Sequence, residues 1–177
     1  PVKAAQMLCD RHIPKMIVES AQMLSTAHRL LDGKPEKRKS RSGKTIQTYY
    51  AFGDVRDHLY YAAVHKHHPC TLWTMESKQN YDWHYGHFVS MAREFEYHRN
   101  KKHVTFEKLG KILAAPPENI PHIGLTEFAQ AMNHYPDCKV PGDAVQAYRN
   151  YYHYAKDFAK WEWKRPAPDW WEGYKGA

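Results

Sequence analysis

Four groups of residues in this 177-residue chain have the types and spacing to do chemistry. The first is a stripe in which His12, Lys15, Glu19, Gln22, Thr26 and Arg29 recur at steps of three or four, which places them on one face of a helix. Such a stripe is most often the wet side of an amphipathic helix. Beneath a cleft it becomes an acid/base site, with Glu19 taking a proton or steadying a developing positive charge and His12 on the same face. Histidines form the second group: His65, His67 and His68 precede Pro69, and His84, His87 and His98 fall within about 60° of one another around a following helix. They follow no HExxH pattern and no other recognised ligand spacing, so they read as half-buried or phosphate-facing imidazoles, and no metal site is expected. Third is the run GKPEKRKSRSGK at 33–44, which offers Lys34, Lys37, Arg38, Lys39, Arg41 and Lys44 for phosphate contacts that carry affinity without sequence readout. Fourth is the tail WEWKRPAPDWWEGYKGA, where Trp170, Trp171 and Tyr174 stand between Lys164, Arg165 and Lys175 and can stack on bases or pack down on a core.

The elements that must position these groups follow from periodicity. A helix is expected from about 14 to 31, with Pro14 in its first turn, Asp10 placed to cap it and Gly33 at its end. The 33–44 run has no apolar residue and reads as an exposed, mobile basic loop. TIQTYYAF (45–52) and HLYYAAV (58–64), joined by GDVRD, read as a β-hairpin. A long helix follows over 78–101, with Tyr81, Tyr85, Phe88, Ala92 and Phe95 at the helical period, then a shorter one over 105–113 that stops before Pro116 and Pro117. TEFAQAMN reads as a brief helix, and 143–163 as a third long helix capped by Asp143. The fold class is therefore mainly α: one compact domain over 1–177, three long helices, a small hairpin and long loops.

Composition narrows the function. Lysine and arginine (26) outnumber aspartate and glutamate (19), a net charge of +7 before any of the 13 histidines is protonated, which favours an anionic partner. No apolar run approaches the roughly 20 residues that span a bilayer, and no signal-peptide pattern opens the sequence, so a cytoplasmic protein is expected. Cys9, Cys70 and Cys138 are too widely spaced for a disulfide framework or a thiolate zinc site. Phosphate-binding glycine loops, GxSxG elbows and kinase signatures are all missing.

Three pieces, in the same order, resemble the phage pyrimidine-dimer DNA glycosylase and abasic-site lyase family of the endonuclease V type. LCDRHIPKMIVE is similar to that family's first-helix pattern, in which Asp-x-His precedes a catalytic Glu by seven residues from the His; here these are Asp10, His12 and Glu19. ESKQNYDWHYGHFVSMAREFEYHRN resembles the family's central helix and KRPAPDWWEGYKG its closing tail. The strings CDRHIPKMIVESAQML and GLTEFAQAM are also similar to ones in a broader set of phage proteins. The resemblance implies a DNA glycosylase/lyase that forms an imine through an N-terminal amine, for which Pro1 stands as nucleophile, with Glu19 as acid/base and His12 lining the pocket. It also implies damaged or modified double-stranded DNA as partner, no cofactor, a monomer, and a phage-infected bacterial cell as setting. The family's basic positions around the Glu read Val18 and Gln22 here, so the phosphate contacts fall to Arg11, Lys15 and the 34–44 run, with Gln22 beside them. A non-catalytic nucleic-acid-binding or host-interaction protein on the same scaffold, and a histidine-metal enzyme acting on nucleic acid, are the alternative readings.

Overall fold

The computed structural model describes residues 1–40 and 42–176; Arg41, one of the expected phosphate ligands, lies outside the described residues. The chain is mainly α. Two long helices form its centre: α2 (His12–Asp32) lies against α5 (Lys78–Arg99). Ile13, Ile17, Ala21, Leu24 and Ala27, again at steps of three or four, meet Tyr81, Phe88, Met91 and Phe95 of α5 in the main core. The short α1 (Val2–Gln6) docks on α5, and α6 (Val104–Leu109) with the 3-10 turn Ile112–Ala114 closes the far side through Leu109 and Leu113.

Helix ends follow the local chemistry of their sequences. Ser77 accepts from the Asn80 amide at the start of α5, and Asn100 ends that helix in the left-handed conformation (φ 53°), which asparagine tolerates better than most residues. Pro69 opens α4 (Pro69–Glu76), where its missing amide costs nothing. Asp143 caps α7 (Ala144–Ala155), accepting from the Gln146 amide at 2.9 Å. Asp143→Ala is expected to lower stability by about 1 kcal/mol in urea unfolding. Asp10 does not cap α2. Its carboxylate accepts instead from the Glu162 and Trp163 amides at 2.7 and 3.1 Å, and Arg11 takes the cap position without a side-chain bond.

The hairpin differs from expectation. The basic run is itself its first strand: β1 (Lys34–Lys39) pairs antiparallel with β2 (Ile46–Ala51), from Lys34 opposite Ala51 to Lys39 opposite Ile46. Every residue of β1 is exposed, so the ribbon projects into solvent and no buried face imposes an apolar alternation on its sequence. The segment expected to be its partner forms instead the one-turn helix α3 (Arg56–Leu59) and an extended stretch laid along α2. TEFAQAMN likewise forms neither helix nor strand. Thr126 exchanges hydrogen bonds with the buried Asn80 side chain at 2.9 and 2.7 Å, and Phe128 packs between Trp73 and Trp83, contacts that a helix there would forgo. The third long helix stops at Ala155, eight residues early, because Phe158 and Trp161 turn back onto Tyr152 with Trp170 and Trp171.

Candidate active-site pocket and nucleic-acid surface

The polar stripe of α2 is not a wet face. Residues 60–68 run along it and pair with it step by step. Arg29 donates to the Tyr60 and Tyr61 carbonyls, the Thr26 hydroxyl donates to the Val64 carbonyl at 2.8 Å and accepts from its amide at 3.0 Å, and Gln22 Oε1 lies 3.3 Å from His65 Nε2. At the Arg29 end this seam is sealed, with the guanidinium 1% exposed. At the other end it opens into a cavity of about 170 Å³ lined by Glu19, Met23, His65 and His68.

Glu19 therefore neither points into bulk solvent nor lies sealed in the core: its side chain is 31% exposed and Lys15 Nζ stands 3.2 Å away. His68 Nδ1 accepts from the Cys70 amide at 3.2 Å, so in the neutral ring the proton sits on Nε2. Burial holds His68 below its ordinary pKa and the neighbouring His65 adds to this, while the Glu19 carboxylate pulls the other way. His65 is held at φ 53°, a conformation that costs a non-glycine residue strain and turns its ring toward Gln22. A carboxylate and two imidazoles at one opening can accept a proton from a bound molecule and return it elsewhere. Cys70 offers no nucleophile, because burial raises its thiol pKa. Sequence reasoning noted HKHHPC but not that it faces Glu19; a contact 46 to 49 residues apart in the chain leaves no local pattern.

The other expected residues take different places. His12 is buried, with Nδ1 2.6 Å from the Tyr152 hydroxyl and its edge to Phe158, so it is not among the pocket's walls. Burial, then Lys156, Lys15 and Arg11, lowers its pKa to about 4. Pro1 packs its ring 3.5 Å from where a side chain on Gly86 would begin, and its carbonyl lies 3.3 Å from His87 Nδ1; neither residue belongs to the pocket. The three helix histidines do not converge. His84 bonds Thr74 and Ser20, His87 lies by Pro1, and His98 accepts from the Lys164 amide. Among the described residues no group of three or more His, Cys, Asp or Glu is placed to hold a metal ion.

The tail's cations serve as internal ties. Lys164 donates to the Tyr97 carbonyl and Asn100, Arg165 pairs through two nitrogens with the buried Glu94, and Lys175 pairs with Glu172. Trp170 and Trp171 join the half-buried aromatic cluster around Tyr152, while Tyr174 is 43% exposed. On the ribbon, Lys34, Lys37, Arg38, Lys39 and Lys44 are all exposed. Among the described residues no helix is long and apolar enough to cross a membrane. Compared with known proteins, the chain matches no family model, no curated protein and no solved structure.

Proposed function

We propose that this protein binds double-stranded DNA and acts on damaged or modified pyrimidine sites as a glycosylase/abasic-site lyase, with Glu19 as the acid/base. The observation that carries this reading is the half-open pocket lined by Glu19, His65 and His68, where the Glu19 carboxylate also pairs with the exposed Lys15 amine at 3.2 Å. Pro1 packs by Gly86 and His87, away from Glu19, and in this reading the imine-forming amine is Lys15, the one paired with the Glu19 carboxylate. Glu19 takes a proton from the Lys15 ammonium, and Nζ then bonds C1′ of an opened abasic sugar as its oxygen leaves as water. Glu19, having passed its proton on, removes one from C2′, and the C3′–O bond breaks to release the 3′-phosphate. An opening of this size admits a sugar only when the nucleotide is turned out of the duplex, as base-directed enzymes generally require.

Borohydride reduction during incubation with an abasic duplex is the test. A covalent adduct mapped by mass spectrometry to Lys15 is expected, and Glu19→Gln is expected to slow strand cleavage by about 10²- to 10⁴-fold. An adduct mapped to Pro1 would instead support the N-terminal amine. No adduct and no cleavage would reject catalysis, leaving the second reading, a non-catalytic DNA-binding protein, which the exposed basic ribbon favours independently.

A further inference from the structure

The register of the ribbon divides its basic residues between two faces, because residues directly opposite in an antiparallel pair project to the same side. Lys34, Glu36 and Arg38 share a face with Gln47, Tyr49 and Ala51; Pro35, Lys37 and Lys39 share the other with Ile46, Thr48 and Tyr50. On the first face the charge of Arg38 is already answered, while Lys34 has no acidic partner among the described residues. Arg38 pairs with Glu36 at 2.8 Å and lies over the Tyr49 ring at 3.9 Å, and the buried Arg29 lies against the same ring at 4.8 Å. On the second face Lys37 touches only the neutral Thr48 hydroxyl, and Lys39 is exposed with no acidic residue on that face.

That second face does not end at the ribbon. Lys66 Nζ sits 5.3 Å from the centre of the Tyr50 ring, and the residue before it, His65, is a wall of the Glu19 pocket. Past the pocket, Lys15 and Arg11 follow at helical spacing on the same side of α2. Arg11 and Lys156 of the chain just beyond α7 lie against one ring, Phe158, at 4.6 and 5.8 Å. The stretch of α2 from Arg11 to Gln22 rises about 16 Å, and each ribbon strand extends about 20 Å. These lengths are on the scale of one turn of duplex, about 34 Å. A two-stranded ribbon is also an element that the major groove, about 12 Å wide, admits.

We infer that the DNA backbone follows one continuous cationic edge, from Lys37 and Lys39 through Lys66, across the mouth of the Glu19 pocket, to Lys15, Arg11 and Lys156, and that Lys34 and Arg38 stay off it. This rests on the DNA-binding reading above and specifies its surface. Phosphates on this path meet Lys37, Lys39, Lys66, Arg11 and Lys156, which have no acidic partner among the described residues, together with Lys15, which also pairs with Glu19, while the face that carries the Glu36–Arg38 pair points to the other side of the ribbon.

The test is fluorescence anisotropy of a labelled 20-base-pair duplex with the full chain over a range of salt concentrations. Circular dichroism checks that each variant keeps its helix content. The double variants Lys37→Gln/Lys39→Gln, at one end, and Arg11→Gln/Lys156→Gln, at the other, are each expected to weaken binding by tenfold or more. Each should also flatten the salt slope by about two, one for every phosphate that is no longer neutralised. Lys34→Gln/Arg38→Gln is expected to stay within about threefold of the parent. Equal losses from the two faces of the ribbon, or an unchanged affinity for the Arg11/Lys156 variant, would overturn the shared edge while leaving DNA binding intact. No duplex binding at any salt, or binding to phosphatidylserine vesicles in place of duplex, would reject the DNA-binding reading itself and this edge with it.

Discussion

Arg29→Met is expected to lower stability by about 3–5 kcal/mol, the range seen when one partner of a buried ionic network is removed. The guanidinium uses all three nitrogens. Nε donates to the Tyr61 carbonyl, Nη1 to the Tyr50 carbonyl at 2.7 Å and to Asp57 Oδ1 at 3.1 Å, and Nη2 to the Asp57 and Tyr60 carbonyls at 3.0 Å. Tyr49 and Phe52 rings lie against it at 4.8 and 5.1 Å. Methionine would fill much of the volume yet leave four carbonyls and a carboxylate without this donor. Lysine would keep the charge but not the planar fork, so Arg29→Lys is expected to recover only a minor part of the loss. Urea unfolding measures the cost. Amide hydrogen exchange should show protection falling first over 50–61, since every one of these acceptors lies there. Equal protection in Arg29→Met and the parent would show that other contacts hold the segment.

The second large effect is acid lability. His12, His28 and His84 are each no more than 8% exposed, and burial lowers their pKa values to about 4, 4 and 3. In His84 the tautomer follows from its partners: the Thr74 hydroxyl donates to the Cys70 carbonyl, so it accepts from Nδ1–H, and Ser20 donates to Nε2. The Tyr81 hydroxyl likewise donates to the Leu113 carbonyl and accepts from His28 Nε2–H. Asp32, 3.9 Å from His28 Nδ1, offsets part of the burial penalty there without reversing it. In the unfolded chain imidazoles titrate near 6.5. Below that pH the unfolded state takes up protons that the folded state refuses, so this contribution is complete above about pH 7 and is lost as pH falls from about 6.5 toward 4. With three such groups the unfolding free energy should fall by about 4 kcal/mol per pH unit across the middle of that window. The protein should unfold well above the range in which carboxylates titrate. Urea titrations at half-unit steps from pH 7 to 4.5 provide the measurement, and a stability flat across that span would contradict it.

Helices α2 and α5 were legible because each shows one apolar face at the helical period and must bury it. The hairpin was misplaced for the opposite reason. KPEKRK buries nothing, so its strand is specified by pairing with 46–51 alone, while the aromatic segment 58–64 was drawn to a helix surface rather than to a sheet. The stripe from His12 to Arg29 was visible in the sequence, but not the segment that covers it, and that cover separates a sealed network at Arg29 from an opening at Glu19. His65 and His68 enter the pocket only through this long-range pairing. Local spacing pointed to His12 instead, whose ring the fold gives to Tyr152.

Asp10 grips the backbone at 162 and 163, while Glu94 and His98 hold Arg165 and the Lys164 amide. These clasps join stretches 152 and 71 residues apart in sequence, so closing them carries a heavy loop-closure entropy and belongs late in folding. During synthesis, α2 leaves the ribosome long before the segment that fastens its first turn. The nascent protein must therefore carry Glu19 on a helix whose first turn still lacks this clasp, and the proposed activity should arise after translation has passed residue 165.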